Sequence, residues 1–202
     1  MLTTFAAHPS SLTEDSAQIR YATHLKSWDE LAAIIASGDY TDLNRTREGQ
    51  EEYDQAKVHY DQHHGGIAQY VMKNRLHWTL EGVLETQQRV RKSLAAAIPS
   101  AANNSLAPTV VSQPAGAPSS WPFDPALTQI LSNDYPYALD KAITHQVLWS
   151  QLPLDPNDPR VHAYLTHRFA DCDVLFMVHN PALQSVRAIP HGHVFTRPKV
   201  AA

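Results

Sequence analysis

Residues 98–122, IPSAANNSLAPTVVSQPAGAPSSWP, carry no charge and no hydrophobic period, and they separate stretches of the chain that are patterned differently. A run of Pro, Ala, Ser and Asn has no face to bury, so it reads as a linker or long surface loop. Before it, apolar residues recur at helical spacing. After it, short apolar runs alternate with turn residues. Helices first, then strands with an intervening helix, predict an α+β fold. The expected organisation is a flexible N-terminal segment at 1–26, a helical region at 27–97, the connector at 98–122, and an α+β region with a mixed sheet at 123–202.

Local signals fill in the elements. Ser27-Trp28-Asp29-Glu30 is a capping box, in which a hydroxyl and a carboxylate satisfy the orphan amides of a helix start. Leu31, Ile34 and Ile35 give the inward stripe, and Gly38 supplies the left-handed stop. A second helix is expected from about Arg47 to His63, with Tyr53, Ala56, Val58 and Tyr60 on or near its buried side and Gly65-Gly66 ending it. Helical spacing continues at 67–75 and from Thr79 to about Ala97. Beyond the connector, Phe123–Leu131 reads as a short helix. Ile143–Trp149 reads as a strand with His145, Val147 and Trp149 on one face. Asp158-Pro159 starts a helix through Val161 and Leu165. Val174–Val178, an unbroken apolar run, reads as a strand covered on both faces. Ala188–Thr196 is the last strand.

A net charge of -4, from 16 Lys+Arg against 20 Asp+Glu, is too small and mixed for a nucleic-acid or anionic-membrane partner. Cys172 is the single cysteine, so no intrachain disulfide forms. With neither a basic leader nor a long apolar run in the sequence, a cytoplasmic protein is expected, the nucleus remaining open.

The chemistry concentrates in Asn180–Arg197, NPALQSVRAIPHGHVFTR. Residues two apart on a strand point the same way, so His191 and His193 present two imidazoles side by side. Three uses are open. His191 attacks an electrophile with His193 as its partner. Or His145, His191 and His193 form a metal face for a transition metal, with His179 a further donor. Or the pair belongs to a pocket that binds without turnover. Tyr135-Pro136-Tyr137 offers aromatic side chains for a sugar or base.

Four blocks resemble a mainly fungal family named for N-acetylglucosamine-induced proteins: SWDELAAIIASGDYTDLNRT, YDQHHGGIAQYVMKNRLHW, LSNDYPYALDKAITHQVLWSQLPL and DVLFMVHNPALQSVRAIPHGHVF. The resemblance implies that some members respond to an amino sugar. More distantly, Asn180, Gln184-Ser185-Val186, His191 and His193 resemble the signature of histidine-triad nucleotide hydrolases and transferases. Pro190-His191-Gly192-His193 is similar to the active-site run of galactose-1-phosphate uridylyltransferase. Ile189 stands where the triad has its first histidine. This second resemblance implies a histidine-triad-like C-terminal half binding a nucleotide, nucleotide sugar or sugar phosphate. His191 would be the nucleophile, His193, Gln184 and Ser185 phosphate contacts, Asn180 an orienting residue, and Arg187 and Arg197 cations for phosphate.

Overall fold

In the computed structural model the capping box closes as the sequence requires. The Ser27 hydroxyl accepts from the Glu30 amide at 3.3 Å, and the Glu30 carboxylate accepts from the Ser27 amide at 2.8 Å. They open helix α1, Trp28–Ser37, which stops at Gly38 with φ 72°. The structure describes residues 21–97, 121–180, 184 and 186–199. The segment expected to be flexible, apart from residues 21–26, and the connector, apart from 121–122, lie outside them, as does Ser185.

Helix α2, Arg47–His64, is capped by the Thr46 side chain and ends at Gly65 in the left-handed region. Val58, expected near its buried side, is 55% exposed. Tyr53 and Tyr60 are two turns apart and share a face, and Val58 two residues before Tyr60 must point away from it. Helix α3, Ile67–Tyr70, widens into a π-helical turn at Val71–Leu76 that stops at His77 with φ 54°. Helix α4, Leu80–Ala97, buries Val83 and leaves Leu80 and Leu84 about half exposed.

The four strands are β1, Thr128–Ser132; β2, Thr144–Ser150; β3, Cys172–Met177; and β4, His191–Pro198. They form one sheet in the order β1-β2-β4-β3, and every neighbouring pair is antiparallel. The α+β class holds, but the sheet is antiparallel rather than mixed; the isolated bridge Lys26↔Leu139 is parallel. Two expectations shift with it. The helix expected at Phe123–Leu131 is one 3-10 turn, Pro125–Leu127, followed by β1. Pairing of Thr128–Ser132 with Ser150–Gln146 decides that outcome, a long-range gain that local pattern does not carry. Strand β3 lies at the sheet edge, so only Phe176 and Met177 of it are buried. The strand covered on both faces is β4, buried from His191 through Thr196.

One face of the sheet packs on the N-terminal helices: Val147 and Trp149 join Met72 and Leu76, while Met177 and Phe195 join Leu31 and Leu43. The other face sets Leu148, Phe176 and Val194 against Val161 and Leu165 of α5, Pro159–Arg168. Each such side chain contributes roughly 1.5–3 kcal/mol when fully buried. Backbone hydrogen bonds also stitch the two halves together. The Lys26 amide donates to Ala138 O at 2.9 Å, Asp140 N to Lys26 O at 2.8 Å, and Ala138 N to Asn44 O at 3.0 Å. Among the described residues no helix is long and apolar enough to cross a membrane.

Candidate functional site

Strand register decides which side chains meet. β2 and β4 pair Trp149 with His191, Val147 with His193 and His145 with Phe195, so all three histidines lie on the face that meets the N-terminal helices. Between that face and the helices lies a cavity of about 560 Å³, lined by Tyr40, Arg45, Tyr53, Tyr60, Tyr70, Arg75, Asn133, Tyr135, Tyr137, Trp149, His179, Asn180, Gln184, His191 and His193 among others. That volume suits a small-molecule ligand. Six of the chain's eight tyrosines line it, and tyrosine offers an apolar face and a polar tip to a sugar or base.

Hydrogen bonds fix the state of each ring. The backbone amide of Tyr137 donates to His145 Nδ1 at 3.3 Å, so that nitrogen carries no proton. Neutral His145 therefore holds its proton on Nε2 and donates it to His193 Nδ1 at 2.9 Å. His193 in turn keeps its proton on Nε2. His191 differs: its Nδ1 faces the carbonyl of Ile189 at 2.8 Å and must be the protonated nitrogen, which leaves Nε2 with a free lone pair. The Trp149 ring lies 4.8 Å from the His191 ring, centroid to centroid.

Burial keeps these imidazoles uncharged. It holds His145 down to about 3, with Arg45 and then His179 adding repulsion. It holds His179 down to about 4, helped by His191 and Arg45. It lowers His191, against a smaller upward pull from the Ile189 carbonyl, and lowers His193 far below its ordinary range. Burial also pushes the Tyr137 phenol up to about 12, so it stays a donor. The hydroxyl lies 2.6 Å from His179 Nε2. His179 Nδ1 is buried with no partner among the described residues. Tyr137→Phe leaves both His179 nitrogens without a partner among those residues, and should cost about 1–3 kcal/mol in urea denaturation; a loss below about half a kcal/mol would rule out the bond.

Of the residues singled out from sequence, His191, His193, Asn180, Gln184, Tyr135 and Tyr137 line the cavity. Gln184 Nε2 donates to His179 O at 3.0 Å, bracing the chain after β3. Arg187 is exposed and is not on the cavity wall. Arg197 pairs with Asp173 at 2.9 Å and lies over the Trp28 ring. His145 stands behind His193 with Nδ1 and Nε2 engaged in the hydrogen bonds above. A His145–His193 hydrogen bond is the reverse of shared metal ligation, where both nitrogens would turn lone pairs on one ion. Among the described residues no group of three or more His, Cys, Asp or Glu is arranged to hold a metal.

Sequence reasoning missed Arg45, Arg75 and the tyrosines of α2 and α3. Their signal is faint: polar and aromatic residues of the segment after Gly38 and of the α2 stripe, with no motif to join them to the distant His pair.

Residues 27–197 match the family described as "Protein of unknown function (DUF3605)". The chain is similar to "Uncharacterized protein YPL067C" of Saccharomyces cerevisiae, at 25% identity over 185 residues, covering 83% of this chain and 76% of that protein. It also matches the solved structure "Crystal Structure of HTC1" at 23% identity and a TM-score of 0.49, covering 86% of this chain and 85% of that one.

Proposed function

We propose, for a chain that belongs to the DUF3605 family of proteins of unknown function, that the cavity binds a phosphate-bearing small molecule and transfers a phosphoryl or nucleotidyl group through His191. The observation that carries the reading is the Ile189 carbonyl at 2.8 Å from His191 Nδ1. It fixes the tautomer and leaves Nε2 as an unprotonated nucleophile on an imidazole kept neutral by burial. The isoleucine side chain does not matter to that bond, because the backbone supplies the acceptor.

In the first step the Nε2 lone pair forms a P–N bond as the P–O bond to the leaving group breaks, and the leaving oxygen takes its proton from water. Water then forms a new P–O bond as the P–N bond breaks, its released proton neutralises the hydroxide left in solvent by the first step, and His191 is restored. His193, neutral and protonated on Nε2, supplies a hydrogen bond to the developing negative charge. It does not give up the proton, since His145 behind it is a donor and cannot replace the loss. The wall of tyrosines suits a sugar or nucleoside as the rest of the ligand. The N-acetylglucosamine-induced resemblance makes amino-sugar phosphates and UDP-N-acetylglucosamine the first compounds to assay, alongside nucleotides.

His191→Asn should lower turnover of whichever compound is hydrolysed by at least about a thousandfold while leaving ligand-induced thermal stabilisation in place. Mass spectrometry at alkaline pH should find a phosphorus adduct on the peptide carrying His191. Turnover unchanged in the variant would overturn the nucleophile. Binding without turnover is a second reading, favoured by Ile189, 1% exposed, where the histidine-triad resemblance expects a polar residue. It predicts saturable stabilisation in both proteins and product in neither.

A further inference from the structure

We propose that Arg45, on the helical side of the cavity, is the anchor for the ligand's anionic group. The inference deepens the phosphate-ligand reading above and rests on it for the class of ligand, though not on any role for His191. Arg45 sits in the segment joining α1 to α2, half-buried on the cavity wall. No carboxylate of the described residues forms an ion pair with it, whereas Arg75, the other arginine of the wall, is paired with Asp134. The second acid of the wall, Asp39, accepts from the amide and hydroxyl of Thr41. A partly desolvated guanidinium without a counter-anion is costly, and an anionic ligand removes the cost.

The side chain is also held in place before any ligand arrives. Its Nε donates to the Tyr135 carbonyl at 3.0 Å and its Nη1 to Gln50 Oε1 at 3.1 Å. Gln50 is fixed in turn by donating to Asp54 at 2.9 Å. The guanidinium carbon lies 4.3 Å from the Tyr53 ring centre and 5.9 Å from that of Tyr137. These contacts engage Nε, Nη1 and the flat of the guanidinium. They leave Nη2 without a hydrogen-bond partner among the described residues. A fixed, planar donor of this kind matches a phosphate better than a lysine would. The charge also reaches the histidine wall, since it adds repulsion at His145, His179 and His193. An anion at Arg45 and an electrophile at neutral imidazoles can thus belong to one ligand.

The probes are inorganic phosphate, pyrophosphate and UMP, with uridine and citrate as comparisons, and the readout is thermal stabilisation against concentration. Wild type and His191→Asn should both gain stability from the phosphate probes, and Arg45→Gln should bind them at least about tenfold more weakly. Arg45→Lys keeps the charge and loses the planar fork. It should fall between the two, and it carries the test should Arg45→Gln not fold. Equal phosphate affinity in Arg45→Gln and wild type, or in Arg45→Lys and wild type, would overturn the assignment. So would a wild type that responds to uridine or citrate and to no phosphate probe. Phosphate binding that survives in His191→Asn with no turnover in wild type would leave Arg45 standing and remove the transfer chemistry, so the two proposals fail separately.

Discussion

Gly192→Ala is expected to destabilise the protein by about 3 kcal/mol, the upper end of what overpacking costs in a closed core. A Cβ built at Gly192 would lie 2.5 Å and 2.6 Å from the Phe176 ring and 3.0 Å from the Met177 carbonyl oxygen. The ring has nowhere easy to go, because Phe176 is packed among Leu148, Val161, Leu165 and Val194. The carbonyl belongs to the ladder that joins β3 to β4. Gly192 also separates His191 from His193, so a strand pushed outward here would move both imidazoles relative to Arg45. Chemical denaturation of Gly192→Ala, Phe176→Leu and the double variant measures the clash. The double variant should be more stable than the sum of the single losses, with a coupling above about 1 kcal/mol. A Gly192→Ala protein within about half a kcal/mol of wild type would show that Phe176 yields freely.

Acidification should be nearly as damaging. In the unfolded chain His145 and His179 take up protons near the ordinary value of 6.5, whereas in the folded protein they resist until about 3 and about 4. The unfolded state therefore binds more protons below pH 6.5. The stability these rings contribute is complete above that pH and drains away as pH falls towards their folded values. For His145 the loss between pH 7 and pH 5 is about 2 kcal/mol, and His179, less buried and so more screened by solvent, adds a smaller loss of the same sign. His191 and His193 act in the same direction. Set against a total of roughly 5–15 kcal/mol for an ordinary domain, the protein should approach its unfolding threshold near pH 5. Urea midpoints at pH 7.5, 6 and 5 would show the slope. A flat profile would mean that the imidazoles are solvated or already protonated.

What could be read in advance follows from what each signal is made of. Capping is local chemistry, so Ser27 with Glu30 and Asp158 before Pro159 mark their helices faithfully. Two-residue spacing is local as well, which is why His191 and His193 do share a face and line the cavity. β1 escaped because Thr128–Ser132 becomes a strand only through Gln146–Ser150, and pairing with a strand further along the chain leaves no mark on the shorter segment. Arg45 escaped for the same reason at greater range. Its meaning comes from Tyr135 and from the histidine wall, and nothing near it in sequence announces either. The alternative of a metal face turns on a finer point. Spacing puts His191 beside His193, but strand pairing is what brings His145 up to His193, and the Tyr137 amide, which claims the second nitrogen of His145, sets the direction of the bond between the two rings.

The backbone stitches from Lys26 to Ala138, Asn44 to Ala138 and the Arg45 side chain to Tyr135 join segments of the chain that are synthesised far apart. Helical turns such as those of α1 and α2 can form within about a microsecond, while contacts so far apart in sequence are expected to form more slowly. On that order the cavity wall is expected to close late. A chain still emerging during synthesis would display its helices, and Arg45 between α1 and α2, well before it owned a site. Any ligand that binds both Arg45 and the histidine wall would select the completed fold and hold shut the seam that forms late.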